Sequence, residues 1–126
     1  MGARHMITAA VVSLTLVLAF GGCSQSPEAK KAKHHERGQA YFEKGQYQEA
    51  VIEFKNVVQI EPKDADAHYR LALTYLKLGG LPYLQAAFGE LTKTVELDAS
   101  NRDAQLKLAK CICLATSRPR RASEQT

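Results

Sequence analysis

The chain of 126 residues has no tryptophan, only three cysteines and four prolines, and a single long uncharged run. Three cysteines are too few for a disulfide-stapled scaffold. No stretch alternates apolar and polar residues as a half-buried strand does, so a sheet is excluded as the organising element. There is no glycine-rich phosphate loop, and Ser, His and Asp are scattered without the context a nucleophilic triad needs. No catalytic constellation is found, and the chain reads as non-enzymatic and free of cofactors. Charge of one sign is scarce too: 17 Lys and Arg stand against 13 Asp and Glu. A nucleic-acid-binding domain concentrates its basic residues on one face, whereas here Lys, Glu and Asp interleave, so no nucleic acid is expected. The local exceptions, KKAKHH (Lys30 to His35) and RPRR (Arg118 to Arg121), read as solvated ends of a helical domain.

What is present begins with the uncharged run. Met6 to Phe20 holds fifteen residues without charge, preceded by Arg4 and followed by Gly21, Gly22 and Cys23. A helix needs roughly 20 apolar residues to cross a bilayer, so this run fits the apolar region of a secretory signal better. The Gly-Gly-Cys junction resembles the lipobox of bacterial lipoproteins, with Phe20 where an aliphatic residue is usual. The resemblance implies cleavage after residue 22 and a lipid, palmitate among its acyl chains, on Cys23. Myristoylation requires Ser or Thr at the sixth residue, and Met6 excludes it. Ser24 lacks the aspartate that retains enteric lipoproteins at the inner membrane. The expected location is therefore the cell envelope, on the outer membrane facing the periplasm. Lys30 to His35 would then lie close enough to anionic headgroups to add attraction.

From Lys30 onward the residues repeat. An offset of 34 places His34 on His68, Tyr41 on Tyr75 and Gly45 on Gly79. The stretch YQEAVIEFKNVVQIEP reads as a helix with Ala50, Val51, Phe54, Val57, Val58 and Ile60 on one face, ended by Pro62. Gly38, Tyr41, Ala50, Phe54 and Pro62 sit at the spacings G-x₂-Y…A-x₃-F…P, and this pattern resembles the tetratricopeptide (TPR) repeat. Gly38 and Ala50 are small where two helices would cross; Tyr41 and Phe54 would fill the space beside them. A looser second copy carries Leu71, Ala72, Tyr75, Ala87 and Leu91. Its helices are separated by three additional residues in GGLPYLQ, expected to form a longer turn. A further helix follows from Asp103 to Leu114, with no apolar periodicity after it.

The fold implied is all-α: a short TPR solenoid of two helix pairs plus one further helix. The expected organisation is a leader (1–22), a tether (23–30), repeats at 31–64 and 65–101, a partial repeat at 102–115 and a disordered tail (116–126). A lipoprotein signal followed directly by such repeats also resembles the TPR lipoproteins that accompany the PEP-CTERM/exosortase system of polysaccharide-producing bacteria, in their N-terminal part only.

Four histidines invite a metal reading, but His34 and His68 occupy the site where this repeat usually has Trp, and no spacing assembles a ligand set. Cys111 and Cys113 point about 200° apart on a helix, which makes a mutual disulfide awkward and favours packed thiols. In the TPR family the inner face of the solenoid belongs to the first helix of each pair. By that resemblance the partner-binding stripe holds His35, Gln39, Phe42 and Glu43, then Asp66, Tyr69, Leu73, Leu76 and Lys77, then Leu106 and Lys110. The expected function is a membrane-anchored module that takes a protein or peptide ligand in this groove. The alternative is a structural or assembly subunit of an envelope machine, docked through Leu81 to Tyr83 and the uncapped further helix (Asp103 to Leu114). That uncapped end also admits self-association.

Overall fold

The computed structural model describes residues 26–116, which form five helices: α1 (Pro27–Glu43), α2 (Tyr47–Ile60), α3 (Ala65–Leu78), α4 (Leu81–Leu97) and α5 (Arg102–Thr116). The leader, Cys23 and the tail from Ser117 lie outside the described residues. Each helix packs on the next in chain order, the nearest-neighbour arrangement of a solenoid.

Local chemistry sets the ends. Ser26 caps α1 by accepting from the Ala29 amide at 3.2 Å. Pro27 follows in the first turn, where its missing N–H has no acceptor to lose. The helix therefore begins inside the segment expected as a tether. Asp64 and Asn101 cap α3 and α5 in the same way, accepting from Ala67 and Ala104 at 3.0 Å each. Gly45 and Gly79, one repeat apart, leave α1 and α3 at φ +75° and +69°, which residues with a Cβ adopt only with strain.

One expectation is corrected. The three additional residues of the second repeat do not lengthen its turn. Only Gly79 and Gly80 join α3 to α4, against Lys44, Gly45 and Gln46 between α1 and α2. The additional residues instead form a first turn on α4, which has 17 residues to the 14 of α2. Pro82 sits in that first turn, the position at which a helix tolerates proline.

The core has two centres. Ala50, Phe54, Leu71, Tyr75 and Ala87 form the first; Ala72, Leu91, Ala104 and Cys111 form the second, and Leu76 packs against both. The stripe expected on α2 is turned inward, with Ala50, Phe54 and Val57 buried and Val51, Val58 and Ile60 half-buried. Thr74 and Thr94 are buried without loss because their hydroxyls donate to the carbonyls of Arg70 and Glu90, four residues back. Of the two neighbouring thiols only Cys111 is packed, and burial raises its pKa. Cys113 is exposed, because residues two apart on a helix cannot share a face.

Candidate interaction surface

The face available to a partner depends on how the helix pairs are clamped. In the first pair Gly38 of α1 lies against the Phe54 ring so closely that a Cβ there would come within 2.8 Å of Cε1. In the second pair the matching residues are Ala72 and Leu91, both fully buried in one cluster. A larger residue on the first helix is met by a smaller one on the second.

Polar ties repeat along with the packing. His34 Nδ1 lies 2.6 Å from Glu53 Oε2, and His68 Nδ1 lies 2.7 Å from Glu90 Oε2. The His68 ring also reaches the Pro62 carbonyl at 3.0 Å through Nε2. The site where this repeat usually has Trp thus holds an imidazole that joins the two helices of its own pair.

A second set of ties crosses from one pair to the next and builds the inner face. His35 Nε2 meets Asp66 at 3.1 Å, and Arg70 donates to the same carboxylate oxygen at 2.7 Å. Arg70 also donates to the Gln39 side chain, whose amide in turn donates to Glu43 at 2.8 Å. One repeat on, the Tyr69 hydroxyl donates to Asp103, to which Lys107 is paired at 3.4 Å. These contacts bring α1, α3 and α5 into one continuous surface carrying His35, Gln39, Asp66 and Tyr69.

The other residues expected on the stripe divide. Phe42 is half-buried, packs on the first core cluster and meets Tyr47 edge-on at 5.4 Å between centroids. Leu76 is likewise turned inward. Leu73 is half-buried, while Leu106, Lys77 and Lys110 are exposed. Neither Lys77 nor Lys110 takes part in any of the ion pairs among the described residues. The carboxylates of this face are thus engaged by the protein itself, and two of its cations are not.

Sequence reasoning missed Arg70, Asp103 and Lys107 as parts of this surface. The signal was available: Asp66 and Asp103 are 37 residues apart, the same offset that relates Ala50 to Ala87. A further tie, Lys31 to Asp64, fastens α1 to the cap of α3. Its hydrogen bond raises the Lys31 pKa. For Asp64, burial acts upward, but the bonds from Lys31 and the Ala67 amide outweigh it and hold the carboxyl below its usual range.

Away from this face, a groove of about 820 Å³ opens between the C-terminal ends of α3 and α5 and the start of α4, bounded by Tyr75, Leu84, Phe88 and Ile112. No group of three or more metal-ligating side chains occurs among the described residues.

Residues 38–79 match the family model described as TPR repeat. No curated protein matches the chain. With five helices stacked in chain order, the fold is an all-α TPR solenoid. Repeats of this kind are typically non-catalytic protein–protein interaction modules.

Proposed function

We propose that this chain is a lipid-anchored, non-enzymatic interaction module of the bacterial cell envelope, which holds a peptide or protein segment along its α1/α3/α5 face. The observation that carries the reading is the division of charge on that face. Asp66 and Asp103 are tied by His35, Arg70, Tyr69 and Lys107, whereas Lys77 and Lys110 stand free beside Leu73 and Leu106. Cations bordering apolar contacts suit a segment bearing acidic groups and apolar anchors. The anchor rests on the Gly-Gly-Cys junction at Cys23. A lipid with two or more acyl chains holds stably where one holds marginally. An outer-membrane position, and a role beside PEP-CTERM sorting and exopolysaccharide export, are the settings that the resemblance of the N-terminal part suggests.

Capture from envelope extracts by the full chain tests the face. Lys77→Glu with Lys110→Glu should abolish capture while leaving the helical signal and melting point unchanged, since neither lysine supports the fold. Capture that survives both changes rejects this face. It would favour the second reading, a structural subunit of a secretion, pilus or export assembly docked by way of Leu81 and Tyr83, which are exposed. Cys23→Ala should release the protein from the membrane fraction; identical fractionation rejects the anchor.

A further inference from the structure

The basic run at the start of α1 is split in two by the fold. Lys31, His34 and His35 turn toward the rest of the protein, where they meet Asp64, Glu53 and Asp66. Lys30, Lys33 and Arg37 are exposed and enter none of the ion pairs among the described residues. Their i, i+3, i+7 spacing sets these three on one stripe of the helix. Residues two apart on a helix point about 200° apart. Lys33 and Arg37 therefore face away from His35 and Gln39, which belong to the α1/α3/α5 face. By the same rule Glu28 lies across the helix from Lys30, and Glu43 is bound to Gln39 on the inner face. Glu36 alone flanks the stripe. The exposed apolar residues of α1 are Pro27 and three alanines, at 29, 32 and 40, so its outer side presents charge without a large apolar anchor.

We propose that this stripe lies along an anionic lipid surface and fixes how the module sits on its membrane. The proposal deepens the anchored reading and rests on it for its geometry. Residues 24–26 separate Cys23 from Pro27, and the four Cα steps between them span at most about 15 Å. Lys30 lies about 5 Å further along the axis, at 1.5 Å per residue. With the helix laid flat, all three cations come within the Debye length of about 8 Å. The chemistry of the stripe selects lipid over a protein segment. Protein hot spots are built on large, well-packed anchors, which the stripe lacks, whereas anionic headgroups require only charge, and each nearby Lys or Arg adds to the attraction. Nucleic acid offers phosphates too, but the short tether sets this stripe beside a membrane. With the stripe against the surface, the α1/α3/α5 face is turned away from the membrane, toward its ligand.

The test is lysine footprinting of the full chain, with acetylation at each lysine read by mass spectrometry. The chain is mixed with vesicles of phosphatidylcholine alone or of phosphatidylcholine with phosphatidylglycerol. Lys30 and Lys33 should react several-fold more slowly on the anionic vesicles, and high salt should erase the difference. Lys77 and Lys110 should react equally on both. Equal reactivity of Lys30 and Lys33 on the two kinds of vesicle overturns the proposal. Protection that extends to Lys77 and Lys110 overturns it too, since the chain then lies in another orientation. So does protection that only nucleic acid or an acidic partner protein confers. Arg37→Glu leaves both reporting lysines in place and should weaken their protection with an unchanged helical signal; undiminished protection removes Arg37 and the stripe from the account. If the reversal disturbs folding, Arg37→Gln gives the same readout with a smaller loss. A chain that does not associate with the zwitterionic vesicles at all refutes the anchor, whereas the stripe is judged by Lys30 and Lys33 on the anionic ones.

Discussion

The two complete helix pairs solve one packing problem in two ways. In the first, Gly38 gives up its side chain so that Phe54 can fill the crossing. In the second, Ala72 keeps a methyl group and Leu91 supplies a smaller partner. The position on each helix is fixed by the repeat, but the division of volume between the helices is not. What the fold conserves is the filled space between them, since cores are packed to crystal-like density.

Deleting the large member of either pair should have the greatest effect. Phe54→Ala is expected to cost about 3–5 kcal/mol and Leu91→Ala about 2–5 kcal/mol, read from denaturant midpoints. A much smaller loss at Phe54 would mean that Gly38 and its neighbours collapse into the vacated space. The sharper test is Gly38→Ala. Overpacking against the ring costs about 1–3 kcal/mol, of which alanine's better helix propensity returns up to about 1 kcal/mol. Combining it with Phe54→Leu reproduces the second pair inside the first. The double variant should therefore be more stable than the sum of the single changes allows. Simple additivity would show that the two pairs are not alternative fillings of one site.

The histidine ties extend the comparison at a lower energy. Glu90→Ala removes an acceptor from buried His68 and should cost about 1–3 kcal/mol. Glu53→Ala leaves the more exposed His34 open to water and should cost about 1 kcal/mol or less. Equal losses at the two sites would show that burial does not distinguish them.

The smallest expected effect contrasts the two inter-pair junctions. Asp64 caps α3 and pairs with Lys31, whereas the corresponding Asn101 caps α5 with its amide oxygen alone. Asp64→Asn should keep the cap and lose the pair, costing about 0–1 kcal/mol at neutral pH. Because the folded-state pKa of Asp64 is depressed, its contribution is present above the unfolded carboxylate value, about 3.9. It is lost as pH falls through the folded value. Melting followed into acid should therefore fall less steeply for Asp64→Asn than for the wild type. Parallel acid profiles would remove Asp64 from the account.

Much of the architecture was legible because helix periodicity and punctuation are local. Pro62 and the 34-residue recurrence of Tyr41 and Gly45 were read this way, whereas the caps at Ser26 and Asp64, equally local, were not. The inward stripe of Ala50, Phe54 and Val57 followed from spacing alone. The inner face was legible in part. His35, Gln39, Asp66 and Tyr69 were found by register, but their bonding to Arg70, Asp103 and Lys107 was not.

By itself, then, the sequence determined the helices, their order and the positions at which they cross. Only the tertiary structure decided what depends on distances between helices. It placed the three additional residues in a turn of α4 and sent Phe42 and Leu76 into the core. It also brought Gly38 against the Phe54 ring and left Ala109 in solvent. Periodicity specifies an angle around one axis; whether a side chain fits, bonds or stays exposed depends on how closely the next axis approaches, and that is set by all the contacting side chains together.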